Sequence, residues 1–293
     1  MPKDKKVNQV ILVTGATGHQ GGAVLRQLRE RGFAARAMTR DPNQPKVRGL
    51  AGHGVEVVQG NFDEAASLRR ALDGAYGAFS VQDVRGAGVE GEIRQGMEFA
   101  DAAKRSDIRH FVYTSVGAAD QRTGIPHFDS KFRIEEHIRG TGMRFTIVRP
   151  VFFMKNWLGM REGIDRGTLS LPLSPSTRLQ MIAVEDIGRL VAMAFERPGK
   201  WAGRTFELAG DELSMSELAE AFTRISGSGV QYVQVPWQDF EAQAGPEVTK
   251  MFRWFEEVGY HVDIGAVRQE NPNLMSFERW IRSAWHGATR TAG

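Results

Sequence analysis

Two side chains four residues apart, His127 and Lys131 in the segment His127-Phe-Asp-Ser-Lys131, could share one helix face and act on the same small molecule. A histidine with an ordinary pKa of about 6.5 can donate a proton near neutrality, and a lysine ammonium can donate hydrogen bonds to a ligand's oxygens. A polar helix-start residue without catalytic duty is the competing reading of His127. A second segment suggests what kind of molecule that would be. Val10-Ile-Leu-Val-Thr-Gly15-Ala-Thr-Gly18-His-Gln-Gly21-Gly22-Ala-Val24 places three glycines three apart, between a short apolar run and the start of a helical pattern. Glycine accepts positive φ and lets backbone N–H groups approach a pyrophosphate with no Cβ in the way. The first N–H groups of a helix lack partners within it and face an anion. No Ser, Thr, Asp or Asn directly precedes this helix, so a phosphate in the place of the cap is consistent with the pattern. Strand, glycine turn and helix in that order form a dinucleotide phosphate site. Gly15, Thr17, Gly18, His19, Gln20 and Gly21 are its expected lining.

Further candidates fall at the ends of later apolar runs. Arg40, in Met38-Thr-Arg-Asp-Pro42, stands where an acidic residue would hold a ribose 2′-hydroxyl and an arginine would take a 2′-phosphate. Its guanidinium fork suits a phosphate dianion, which predicts NADP(H) in preference to NAD(H), with Asp41 beside it as the residue that could turn toward the ribose instead. In Gln59-Gly-Asn61-Phe62-Asp63, Asn61 could bond an adenine edge and Phe62 could stack on the ring, or the group could be only a turn and helix cap. Ser80, Val81 and Gln82 are expected along the pyrophosphate and nicotinamide ribose. Ser115 follows the fifth apolar run and could point into the same crevice.

The elements that must position these residues alternate. Strand patterns at 10–14, 34–38, 55–58, 75–80, 109–114 and 144–149 are interleaved with helical patterns near 20–31, 64–72, 88–105 and 128–140. Continuous apolar strands between amphipathic helices predict a parallel sheet covered on both faces: an α/β, doubly wound Rossmann fold with its ligand crevice at the strands' carboxyl ends. After Pro150 the rhythm changes. Leu171-Pro-Leu-Ser-Pro-Ser-Thr177 reads as an exposed loop, a strand at 179–184 and a helix at 185–196 as a return to the first layer, and helices near 214–226, 247–258 and 276–285 as a smaller α+β lobe with aromatic stripes in its core. The expected organisation is a dinucleotide-binding domain over 1–150, rejoined by 179–210, and a smaller substrate-side C-terminal lobe over 151–178 and 211–293.

Bulk composition narrows the function classes. With 38 basic and 35 acidic side chains in 293 residues, the net charge of +3 is too small to suggest nucleic acid as a partner. No cysteine is present, which excludes disulfides, thiolate nucleophiles and thiolate metal sites and agrees with a reducing, cytoplasmic compartment. No metal site is expected. Met1-Pro-Lys-Asp-Lys-Lys reads as a solvated tail, the last residues as a frayed one, and no run reaches the roughly 18 apolar residues of a membrane span. A soluble protein is expected, and a homodimer stays open.

Taken together, GATGHQGGAV, MTRDP, HFDSK and Arg149-Pro-Val-Phe-Phe-Met-Lys-Asn156-Trp157 are specific. In the short-chain dehydrogenase superfamily a serine follows the fifth strand and a Tyr-xxx-Lys pair lies on the next helix; here His127 occupies the tyrosine's place. The four motifs resemble the NmrA-like family of atypical short-chain dehydrogenases, over about residues 8–230 and weakly beyond. That resemblance implies Gly15, Thr17, Gly18 and Gln20 on the pyrophosphate, Arg40 on the 2′-phosphate, Lys131 on the nicotinamide ribose, and Phe152 and Phe153 flanking the nicotinamide. The family it resembles divides between NADPH-dependent reductases of quinones, arylmethane dyes and other conjugated electrophiles, and nucleotide sensors that bind a protein partner without catalysis. The expectation is an NADPH-dependent oxidoreductase with a flat aromatic or quinone-like substrate entering between the lobes beside Phe152, Phe153, Met154 and Trp157, with His127 as proton donor. The alternative is a non-catalytic NADP(H)-sensing regulator with a protein partner, motivated by the missing tyrosine.

Overall fold

A computed structural model of the chain describes residues 9–287, so both expected tails lie outside the described residues. The first stretch alternates as its apolar runs require. Strands β1 (Val10–Val13), β2 (Ala34–Thr39), β3 (Glu56–Gln59), β4 (Gly77–Ser80), β5 (His110–Thr114) and β6 (Phe145–Pro150) are separated by helices α1 (His19–Glu30), α2 (Pro45–Gly52), α3 (Ala65–Leu72), α4 (Val84–Arg105) and α5 (Pro126–Gly140). There follow β7 (Phe152–Phe153), a 3-10 segment (Met154–Met160), α6 (Arg161–Asp165), β8 (Thr168–Leu171), β9 (Arg178–Ile182), α7 (Val184–Glu196), α8 (Pro198–Trp201) and β10 (Arg204–Leu208). The chain closes with β11 (Asp211–Ser214), α9 (Met215–Ser226), β12 (Gln231–Gln234), α10 (Trp237–Ala244), α11 (Pro246–Glu257), α12 (Ile264–Glu270) and α13 (Phe277–Gly287).

Two compact units result, one from the chain up to Arg149 with Ile187–Glu207, the other from Pro150–Asp186 with the chain from Leu208 onward. The first holds a seven-stranded sheet in the order β10-β6-β5-β4-β1-β2-β3, in which β3-β2-β1-β4-β5-β6 pair in parallel. This is the doubly wound Rossmann order, which reverses direction between β1 and β4 and opens a crevice at their carboxyl ends. Every residue of β5 is buried, as a strand covered on both faces must be. Phe99 and Ile134 from the helices meet Leu12, Phe111, Tyr113 and Ile147 from the strands in one core cluster. Helices α4 and α5 approach closely at Gly96, where a Cβ would lie 2.6 Å from Ile134 Cδ1.

Local differences from the sequence pattern have local causes. Helix α2 has only Val47 buried, so it carries no apolar stripe to read; Pro45 sits at its start. Helix α4 begins at residue 84, where Asp83 caps it by accepting from Arg85 N at 3.1 Å, and Gly88 breaks its regularity at φ 71°.

The second unit contains a three-stranded sheet, β11-β9-β7, and a two-stranded one, β12-β8. The expected return of the chain to the first layer begins at Ile187 rather than near 179, because β9 spends its hydrogen bonds on antiparallel β11 and parallel β7. The stretch expected as an exposed loop is a loop exposed only at its tip, Pro175 and Ser176. Leu171 and Leu173 are buried, and Glu256 of α11 ties the segment by accepting from Ser174 N at 3.0 Å, from Thr177 Oγ1 at 2.5 Å and from Ser174 Oγ. Helix α9 opens with a capping box, Ser214 and Glu217 each satisfying the other's backbone N–H, and ends at Gly227 with φ 73°. Its Phe222 packs on Phe277 and Trp285 at 5.5 and 5.3 Å between ring centres, so the aromatic stripes form core.

Candidate functional site

The glycine turn is built by close approach. Ile11, Leu12 and Val13 are fully buried, and Thr14 after them ties the turn to β4: its Oγ1 accepts from Val81 N at 2.9 Å and donates to Val81 O at 3.1 Å. Gly15 has φ +59°, and a Cβ on Gly21 would lie 2.2 Å from Gly15 O and 2.7 Å from Thr14 O. Only glycine permits that turn and that packing of α1 against β1. The helix begins with Gly18 as N-cap and no side-chain cap, while Gly15, Thr17, Gly18 and His19 are exposed. Gln20 is fixed from the other side, its Oε1 accepting from Thr114 Oγ1 at 2.7 Å at the end of β5.

Buried polar atoms without partners lie at the neighbouring strand ends. Gln82 is 6% exposed; its amide nitrogen donates to Ser80 Oγ at 3.0 Å, while Oε1 is left unpaired. Ser115 is 3% exposed and its Oγ also lacks a partner. Such groups cost stability unless a ligand satisfies them. An uncapped twelve-residue helix, a glycine cradle and unpaired buried polar groups fit a phosphate-bearing dinucleotide.

Arg40 is exposed at the end of β2, and Asp41 turns to its own loop, its Oδ1 accepting from Asn43 N at 2.9 Å. Asp63 is held below the usual carboxylate range chiefly by its bond from Arg94, with Gln95 and Arg40 adding to it. The Asn61-Phe62 group is engaged by the protein itself. Asn61 Oδ1 accepts from Asp63 N at 3.2 Å, an Asx turn, and half-buried Phe62 meets Phe99 edge-on at 5.5 Å.

Helix α5 carries His127 one turn before Lys131, both half-buried, with the His127 ring edge-on to Phe128 at 4.9 Å. Lys131 Nζ lies 2.8 Å from Glu92 Oε1, a carboxylate on α4 with no exposure, whose other oxygen accepts from Ser130 Oγ at 2.5 Å. One helical turn further, fully buried Glu135 takes Arg149 of β6 in a fork, with Nε and Nη2 at 2.8 and 2.7 Å; Asp120 adds a contact to Arg149 Nη1 at 2.7 Å. These carboxylates raise the Arg149 pKa against the cost of burial. Burial holds the Tyr113 hydroxyl well above its ordinary value, and Glu92 and Glu135 push it further up.

Sequence reading missed Glu92 and Glu135. Their signal was a carboxylate on an apolar stripe: Glu92 precedes Gly96, Phe99 and Ala103 at helical spacing, and Glu135 lies between Ile134 and Ile138. Phe152 and Phe153 stand in the second unit's β7, half-buried, with Phe152 5.3 Å from Trp157 and 6.0 Å from Phe255. Met154 and Trp157, expected beside a substrate, are core residues instead. They are 0% and 1% exposed, and Trp157 Nε1 donates to Met181 Sδ at 3.0 Å.

A family-level match describes residues 7–281 as NmrA-like. The chain belongs to the NmrA-like family. The NAD(P)H azoreductase of Xenophilus azovorans is 30% identical to it over 236 residues, covering 77% of each chain. In structure the chain is similar to the Citrobacter sp. triphenylmethane reductase complexed with NADP(H), with a TM-score of 0.81, 22% identity, and 94% and 99% of the two chains covered. It is equally similar to NmrA, a negative transcriptional regulator, in complex with NADP, with a TM-score of 0.81, 24% identity and 98% of each chain covered. Among the described residues there is no cluster of three His, Asp or Glu side chains that could hold a metal, and no helix long and apolar enough to cross a membrane.

Proposed function

We propose that this NmrA-like chain is an NADPH-dependent oxidoreductase whose acceptor is a conjugated aromatic or quinone-like molecule. The observation that carries the reading is the strand-end crevice, in which an uncapped helix, a turn that only glycine can make and unpaired Gln82 Oε1 and Ser115 Oγ converge at the carboxyl ends of β1, β4 and β5. When bound there, a reduced nicotinamide supplies a hydride. The glycine turn and the first turn of α1 would hold the phosphates, Arg40 the 2′-phosphate and Lys131 the nicotinamide ribose. His127 supplies the proton. With no tyrosine acid on α5, an acceptor that takes a hydride by conjugate addition is the suitable class, because alignment alone can lower such a barrier by about 7–11 kcal/mol. The azoreductase and triphenylmethane reductase relatives act, by their names, on extended conjugated dyes, which supports that class.

A second reading keeps the cofactor and drops the chemistry: a sensor that binds NADP(H) and a protein partner. It is favoured by His127 in the tyrosine's place and by the likeness to the regulator NmrA. NADPH consumption by the purified chain, measured against azo dyes, triarylmethane dyes and quinones with NADH in parallel, separates the two. Turnover with preference for NADPH is the expected result. Tight NADPH binding with no acceptor consumed supports the sensor and overturns the enzyme.

A further inference from the structure

Lys131 is not presented as a lone cation. Its side chain is 14% exposed and its ammonium lies 2.8 Å from Glu92, whose side chain has no exposure and makes its second bond to Ser130, the residue before Lys131. A buried carboxylate is costly unless it is paired and hydrogen-bonded, and here both partners come from one turn of α5. Helices α4 and α5 are pressed together at Gly96 and Ile134, so the carboxylate and the turn that meets it are held at fixed separation. A lysine side chain otherwise carries large rotamer freedom, which must be lost when it grips a ligand. An ammonium has three donors and needs only one for Glu92.

We propose that Glu92 is a positioning residue for the cofactor: it holds Lys131 in one geometry, with donors left for the nicotinamide ribose, so that the ordering of the lysine precedes binding. The proposal rests on the assignment of Lys131 to that ribose. It also makes the pair neutral, so Lys131 acts as a placed hydrogen-bond donor rather than as a source of positive potential toward His127. That suits an acceptor which does not depend on a strengthened acid.

The test compares two probes on the full chain carrying Glu92→Gln. NADPH contains the nicotinamide ribose; adenosine 2′,5′-bisphosphate contains the adenine ribose and 2′-phosphate but not that ribose. A freed lysine should weaken NADPH by about fivefold to tenfold and leave the bisphosphate unchanged, because only the first pays the ordering of Lys131. Equal weakening of both probes means that Glu92 only supports the fold, and overturns the proposal. Unchanged NADPH affinity overturns it too, while leaving the cofactor reading standing; no NADPH binding by the native chain overturns both. If Glu92→Gln does not fold, Glu92→Asp carries the same comparison, since it keeps the charge but withdraws the oxygens by one methylene.

Discussion

Glu92 and Glu135 are both fully buried in the layer formed by α4 and α5, and they are met by different cations. Glu135 faces the planar fork of Arg149, 6% exposed, through two bonds, and Arg139 adds a third at 2.8 Å. Glu92 faces the point charge of Lys131, which keeps some access to solvent, and a serine hydroxyl. The fork saturates its carboxylate and fixes the end of β6 against α5; the ammonium leaves donors unspent. Two pairs of the same formal charge therefore serve different ends, one closed upon the fold and the other open to a ligand.

The largest effect should come from breaking the closed pair. Arg149→Met leaves buried Glu135 with Arg139 as its one cationic partner, and should cost up to about 3–5 kcal/mol in chemical denaturation, the upper end being that of a fully uncompensated charge. Glu92→Gln removes the buried charge itself and should cost much less, and equal losses would erase the distinction between the pairs.

His110, buried at the amino end of β5 and bonded to Thr146 Oγ1 at 2.8 Å, tests the opposite strand end. Burial, with Arg144 adding to it, pushes its pKa down to about 4. The folded chain keeps it neutral down to that pH, while the unfolded chain protonates it near 6.5, so between those values the unfolded state holds more protons. Stability therefore falls as pH drops from about 6.5 to 4, by up to about 3 kcal/mol from this group. In His110→Gln the native-minus-variant difference should fall by up to about 3 kcal/mol between pH 6.5 and 4; a difference constant with pH would refute the assignment.

Arg40 extends the comparison to an exposed cation. Arg40→Ala should weaken NADPH by about 1.5–3 kcal/mol, leave NADH nearly unchanged and hardly alter Tm. Equal loss for both cofactors in a binding titration would remove Arg40 from the 2′-phosphate.

Residue type alone left open which side chains the fold engages. Asn61 and Phe62 have the chemistry for an adenine or for a turn and cap, and Asn61 bonds its own turn while Phe62 packs on Phe99. Met154 and Trp157 belong to an aromatic-rich stretch of the kind that walls a pocket, but the second unit buries them. The missed strands β10, β11 and β12 are short, and half-buried or exposed over most of their length, so neither continuous nor alternating apolarity marks them.

The sequence by itself determined the glycine turn, the alternation that makes a Rossmann sheet and the helix that carries His127 and Lys131, because each is written in residue types and spacings along a short stretch of chain. Only the tertiary structure decided which polar groups are spent. Glu92 and Lys131 are 39 residues apart and Gln20 and Thr114 are 94 apart, and although a carboxylate on an apolar stripe signals that it must be paired, nothing local names its partner. That choice is made when helices and strand ends pack, since burial alone makes an unpaired charge too costly to keep.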